Sequence, residues 1–115
     1  MLLSIFKSKI HKVRVTQAEL GYIGSITIAS DLLEAANMLE GEQVTVVNIN
    51  NGERLETYTI AGEPHSGIIC LNGPAARKAQ VGDDVIIISY AFMTEEEARK
   101  FTPTIVFPDE NNQLP

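Results

Sequence analysis

Short apolar runs rich in Ile, Val and Thr recur along the chain between turn-forming residues, at 10–16, 23–29, 44–49, 55–61, 67–71, 85–92 and 104–107. Runs of this length and β-branched content read as strands, and their close spacing reads as a small β-barrel or sandwich. Asn51-Gly52 separates two of them, and both residue types suit the positive φ angles of a tight hairpin turn. The strand ending near Ile49 should therefore pair with the one starting near Leu55. Three short helices interrupt the strands. Asp31 with Glu34 has the spacing of a capping box opening an amphipathic segment to Leu39, with Gly41 placed to end it. Thr94 with Glu97 repeats the box, and Glu95 to Glu97 occupy a first turn, where the helix dipole favours negative charge. Pro74, after Asn72-Gly73, suits the first position of a one-turn helix over Pro74 to Lys78, whose amides could face a ligand. The tail from Pro108 to Pro115 is polar and expected to fray.

Composition narrows the class. The 115 residues, 44% of them hydrophobic, supply one modest core and hence one domain, 1–115. No apolar run approaches the roughly 20 residues that span a bilayer. The opening MLLSIFKSKIHK is too short and too basic after its apolar part for a signal peptide, so a cytoplasmic protein with no membrane partner is expected. A single cysteine, Cys70, lies in an apolar run and reads as a buried, inert thiol. Two histidines, His11 and His65, without clustered acids give no metal-ligand spacing, and no metal is expected. A net charge of −6 argues against nucleic acid. Yet Lys7, Lys9, Lys12 and Arg14 gather before the first acid, Glu19. That cluster fits either a small anionic ligand or an edge strand that uses lysine against aggregation.

Four blocks carry the reading further. Tyr22-Ile23-Gly24-Ser25-Ile26-Thr27-Ile28 is preceded by Ser8-Lys9-Ile10-His11 and followed by Asn51-Gly52-Glu53-Arg54-Leu55-Glu56-Thr57-Tyr58 and by Asn72-Gly73-Pro74-Ala75-Ala76. In order and spacing these blocks resemble the pyruvoyl-dependent aspartate 1-decarboxylase family, from Met1 to about Asp109. The resemblance implies a six-stranded double-psi β-barrel assembled as a homotetramer with active sites between subunits. It also implies a precursor that cuts itself between Gly24 and Ser25, into residues 1–24 and 25–115. Serine is a weak nucleophile, and glycine before it lowers the steric cost of the distortion that attack on the preceding carbonyl requires.

The resemblance gives further residues their roles. A covalently bound pyruvoyl group derived from Ser25 would form a Schiff base with L-aspartate and act as electron sink in place of pyridoxal phosphate, yielding β-alanine for pantothenate and coenzyme A. Thr57 would support maturation by stabilising the developing oxyanion and would also contact the substrate. Lys9 and Arg54 would bind the two substrate carboxylates, arginine being suited to bidentate capture. Tyr58 would donate the proton that replaces CO2. Asn72, Gly73 and Ala75, with Ala76 beside them, would line the pocket, and His11 and Tyr22 would support it.

Each residue also has a plainer reading: Lys9 an edge-strand lysine, Arg54 a surface arginine after a turn, Thr57 and Tyr58 ordinary strand residues. A non-enzymatic barrel with an unreacted Ser25, and a small dimeric nucleic-acid-binding barrel with a basic first strand, are the rival functions. Two departures from the family pattern stand out, Glu63-Pro64-His65-Ser66 and Pro74, the latter removing one amide from the pocket loop. Spontaneous processing and processing assisted by a partner protein both stay open.

Overall fold

The computed structural model describes residues 1–115. Its strands are β1 (Leu3–Arg14), β2 (Gln17–Glu19), β3 (Ser25–Ala29), β4 (Gln43–Asn48), β5 (Arg54–Gly62), β6 (Ile69–Asn72), β7 (Asp84–Met93) and β8 (Thr104–Val106). Two helices, α1 (Ser30–Ala35) and α2 (Glu95–Lys100), and a 3-10 helix over Gly73–Lys78 complete the chain. No helix is long and apolar enough to cross a membrane.

The strand order is β2-β6-β3-β5-β4-β7-β1-β8. Only Val15 and Thr16 separate β1 from β2, so one bent strand lies on β7 with its first part and on β6 with its second. The bend closes the order into a barrel of six strands, with β8 added along Ser8–Ile10 on the other side of β1. At the corner Val15 N donates to Asp83 O and Thr16 N to Ile69 O, both at 2.8 Å, so the break in the ladder leaves neither donor unpaired.

Two connections cross. Because β2 runs parallel to β6 and β6 antiparallel to β3, β2 and β3 form an antiparallel pair with β6 inserted between them. Likewise β5 runs parallel to β3, so β5 and β6 are an antiparallel pair with β3 inserted. These are two interlocked psi motifs, as the family resemblance implies. The crossing places the β2–β3 connection, residues 20–24, beside the end of β6.

The core follows strand alternation. Ile10, Ile26, Ile28, Leu71, Val85 and Ile87 are each fully buried, and Leu32 of α1 closes one end. Burying such a side chain contributes about 1.5–3 kcal/mol. No buried side-chain polar atom lacks a hydrogen-bond partner.

Several local expectations change. The 51–52 hairpin forms, with Val47 opposite Arg54, but its loop is wider than a two-residue turn and only Gly52 takes a positive φ. Thr94 and Glu97 make the expected capping box. Asp31 does not: α1 begins one residue earlier, at Ser30, with Ala29 at its N-cap and no side-chain cap, and Asp31 Oδ1 instead accepts from His65 N at 2.8 Å, anchoring the Pro64-His65 turn. The helix stops at Ala35, short of Leu39, and Asn37 turns the chain at φ 57°. Nor is β1 an edge strand over Ser8–Ile10, where β7 and β8 flank it. The tail is held rather than frayed. Buried Asn112 accepts from Arg14 N and donates to Arg14 O and Gly67 O, each at 2.8 Å, as a peptide group in a ladder would.

Candidate functional site

Ser25 is the first residue of β3 and is fully buried. The β3–β6 register sets Ser25 opposite Asn72 and Thr27 opposite Cys70. Since side chains two apart on a strand share a face, these four form a polar block on the face opposite the buried Ile26, Ile28, Ile69 and Leu71 side chains. Asn72 Nδ2 donates to Ser25 Oγ and to Thr27 Oγ1, both at 3.0 Å. Asn72 Oδ1 accepts from Cys70 Sγ at 3.2 Å. Ser25 Oγ donates in turn to Ile23 O at 3.1 Å. Burial first, and the Glu19 charge second, push the Cys70 thiol pKa up. The thiol therefore stays protonated and can donate, which fixes the Asn72 amide with both its hydrogens toward hydroxyls.

The peptide before Ser25 is held from above. Gly73 has φ +64°, and a Cβ there would lie 2.5 Å from Tyr22 O, 2.7 Å from Gly24 N and 2.9 Å from Gly24 Cα. Only glycine lets the β6 end close on the 22–24 backbone in this way. Gly24 itself is not demanded by the resting conformation: an added Cβ would meet Pro74 Cδ at an ordinary 3.5 Å. A need for glycine at 24 therefore belongs to a reacting geometry, not to the ground state.

The Gly24-Ser25 junction separates two clefts. One, of about 420 Å³, is lined by Gly24, Thr57, Tyr58 and Ala75 together with Pro74 and Lys78. The other, of about 460 Å³, lies on the β2 side and is lined by Ser25, Asn72, Thr27, Cys70, Tyr22 and Glu19 among others. Tyr22 and Ile23 themselves are 66% and 79% exposed. One chain thus brings Ser25, Gly24, Thr57, Tyr58, Asn72, Gly73, Ala75 and Tyr22 together. Ala76 is buried and packs in the core beneath the loop.

Three expected residues stand apart. Arg54 opens on a neighbouring cleft with Ser4, Tyr90 and Phe92, on the face of β5 that carries Glu56 and Tyr58. Lys9 sits opposite Ile88 of β7 and Ile105 of β8, its Nζ 5.5 Å from the centre of the Phe6 ring. His11 lies against Phe107, ring centres 5.6 Å apart, in a separate cleft with Lys12, Arg14 and Asp84. The basic cluster is also divided: Lys7 pairs with Glu42 at 2.6 Å and Arg14 with Asp84 at 3.7 Å. Thr27 and Cys70 were not singled out from sequence as site residues. Their two-residue spacing from Ser25 and Asn72 was the available signal, and it becomes informative only with the β3–β6 register. No three His, Cys, Asp or Glu side chains gather to hold a metal ion.

Fold and site together define a small double-psi barrel in which a hydrogen-bonded polar centre surrounds a main-chain glycyl-serine junction instead of a pair of titratable side chains. The aspartate decarboxylase family model matches residues 1–115. The chain is 63% identical over 114 residues to the aspartate 1-decarboxylase of Cytophaga hutchinsonii, covering 99% of both chains. It is 65% identical to that of Ruminiclostridium cellulolyticum, covering 99% of this chain and 89% of the relative. With that of Phocaeicola vulgatus it shares 64% over 109 residues, covering 95% and 94%. This chain belongs to the aspartate decarboxylase family.

Proposed function

We propose that Ser25 is the residue through which this chain cuts its own backbone after Gly24, leaving residues 1–24 and a chain 25–115 that begins with a pyruvoyl group. As a member of its family the chain is a carboxy-lyase that converts L-aspartate to β-alanine and CO2. The observation that carries the self-cleavage is the fixing of Ser25 Oγ between Asn72 Nδ2 and Ile23 O, directly after a peptide clamped by Gly73.

In the cleavage, Ser25 Oγ attacks the Gly24 carbonyl carbon, the Gly24-Ser25 C–N bond breaks and the freed amine takes up a proton, leaving an ester. Loss of the Ser25 α-hydrogen as a proton, with departure of the Gly24 carboxylate, opens the ester. Hydrolysis of the resulting enamine releases ammonia and leaves a ketone. One water is consumed in all. Thr57 stabilises charge developing on the Gly24 carbonyl oxygen, a role supported by its sharing a cleft with Gly24, and removing such a donor typically slows a reaction about 10²–10³-fold. The residues present fit the group. Its future position is the start of a buried strand, set opposite Asn72 in the β3–β6 ladder and walled by Gly73.

Once formed, the group supplies an electron sink for the pair left when CO2 departs. Tyr58 Oη, on the same cleft as Gly24, holds the proton that replaces the carboxylate on the substrate α-carbon. Gly73 and Ala75 keep the pocket wall short, and Asn72 orients its polar end. Lys9 and Arg54 bind the two carboxylates. In a single chain neither lines the Gly24 cleft, which supports a site completed between neighbouring subunits of a homotetramer, with His11 and Tyr22 supporting its rim.

Intact mass spectrometry under denaturing conditions tests the reading. Warm incubation should convert the chain to a 1–24 fragment and a ketone-started 25–115 chain that becomes covalently labelled by aspartate plus borohydride, while Ser25→Ala stays whole and inactive. A wild-type chain that remains intact after prolonged incubation, alone and with lysate of its source, refutes it.

A further inference from the structure

Arg54 makes no ion pair, although acidic residues stand next to it in sequence and on its own strand face. Glu53, its neighbour in the chain, is paired with Lys78 Nζ at 3.1 Å. Glu56, two residues along β5, projects from the same face as Arg54. These two carry the only charges on a cleft that they share with Gln43, Thr45 and Tyr90. A carboxylate and a guanidinium so placed attract each other, and a paired guanidinium would have to be released before it could take a ligand. The β4–β5 register shows what intervenes. Gln43 stands opposite Tyr58, Thr45 opposite Glu56 and Val47 opposite Arg54, so Gln43 is diagonal to Glu56 on the side away from Arg54. Its Nε2 donates to Glu56 Oε2 at 2.8 Å and draws that carboxylate toward the Tyr58 end of the strand.

Building on the role of Arg54 in the function proposed above, we infer that Gln43 is a positioning residue that holds the Glu56 carboxylate off Arg54 and so keeps the guanidinium free for a substrate carboxylate. Gln43 acts through Glu56 alone and touches no reacting atom. Without it, Glu56 swings to Arg54 and competes with the substrate, so binding weakens while the chemical step is unaltered. Two consequences separate this role from a merely structural one. Removing the Glu56 charge abolishes the effect of losing Gln43, and a lysine at position 43, which holds the same carboxylate, keeps binding intact.

The test uses fully processed protein, verified by mass, as wild type, Gln43→Ala, Gln43→Lys, Glu56→Gln, the double variant Gln43→Ala/Glu56→Gln, and Arg54→Met. In steady-state decarboxylation of L-aspartate, Gln43→Ala should raise KM about 2–5-fold, the scale of an exposed ion pair, with kcat within about twofold of wild type. KM should stay near the wild-type value in Gln43→Lys, at or below it in Glu56→Gln, and in the double variant equal to that of Glu56→Gln. An unchanged KM in Gln43→Ala, or a double variant as impaired as Gln43→Ala, overturns the inference. Arg54→Met reports on the role beneath it: KM should rise at least about tenfold, and a wild-type KM there would overturn the assignment of Arg54 and the inference with it. Failure of the underlying function would instead appear in the wild type, as absence of cleavage or of decarboxylation.

Discussion

Gly73→Ala places one methyl group where the structure has no room for it. The new Cβ would stand 2.5 Å from Tyr22 O and 2.7 Å from Gly24 N, on a backbone with φ +64°. The left-handed conformation costs a residue with a Cβ about 1–2 kcal/mol. Overpacking typically adds about 1–3 kcal/mol, for a total of about 2–5 kcal/mol. Two parts of the molecule could absorb this. The end of β6 is pinned on both sides, by β3 and by β2. The 22–24 segment, with Tyr22 and Ile23 exposed, is held by little besides Gly73 itself, so it should yield first by a few tenths of an ångström. The strain then falls on the alignment of Ser25 Oγ with the Gly24 carbonyl. If about 2 kcal/mol of it persists in the transition state, cleavage slows about 30-fold. The assay follows the cleaved fraction of purified precursor over time by denaturing mass spectrometry, beside a melting curve of the same sample. Wild-type cleavage with an unchanged Tm would show that Gly73 does not clamp the junction. A large fall in Tm with wild-type cleavage would place the strain in the barrel instead.

Further outcomes are expected elsewhere. Tyr58→Phe should leave cleavage at the wild-type rate and lower kcat about 10²-fold or more, the usual scale of a lost general acid, and normal turnover would remove Tyr58 from that role. Asn112→Ala deletes three hydrogen bonds, the one to Gly67 O fully buried, and leaves Arg14 N without its acceptor in a part-buried setting, so stability should fall by about 2–4 kcal/mol. A Tm loss on the order of 10 °C is expected, and a loss under about 2 °C would return the tail to the status of a frayed end. Hydrogen bonds from the Asn48 side chain and the Gln80 amide hold the Asp83 carboxyl below its usual pKa. A folded pKa below the unfolded one contributes stability that is complete above the unfolded value and lost as pH falls through the folded one. Tm should thus decline on acidification below about pH 4, less steeply in Asp83→Asn, and equal slopes in the two proteins would contradict the assignment.

Local rules made some of this legible and long-range contacts withheld the rest. The hairpin at Asn51-Gly52 and the α2 cap depend on residues within a few positions of each other, and both could be read directly from the sequence. Asp31 shows the limit: its spacing from Glu34 is that of a cap, but the helix begins one residue earlier and its carboxylate meets the His65 amide, 34 residues away. Asn112 looked like part of a polar tail for the same reason, its partners being Arg14 and Gly67. The candidate site divides likewise. Family-like blocks pointed to Ser25, Thr57, Tyr58 and Asn72, whereas the Ser25, Thr27, Cys70 and Asn72 block depends on the register of two strands more than forty residues apart in sequence. Nothing local could reveal that the clamping glycine is Gly73, because its constraint comes from the crossing of two connections.

That crossing also bears on how a barrel could survive a cut in its own chain. A break after Gly24 falls in the connection between β2 and β3, outside every ladder. On one side of it, β1 keeps its pairing with β7 from Leu3 opposite Met93 to Arg14 opposite Asp84, and β2 keeps β6. On the other side Ser25 is already paired with Asn72, so the new chain end would be part of the sheet from its first residue. β3 lies between β5 and β6, which places such an end in the interior of the sheet and not at an edge. Chain ends are ordinarily the most mobile part of a domain, whereas a reacting group needs a fixed position. The interlocked psi motifs reconcile the two: one connection can open, and the residue beyond it stays as firmly placed as the middle of a strand.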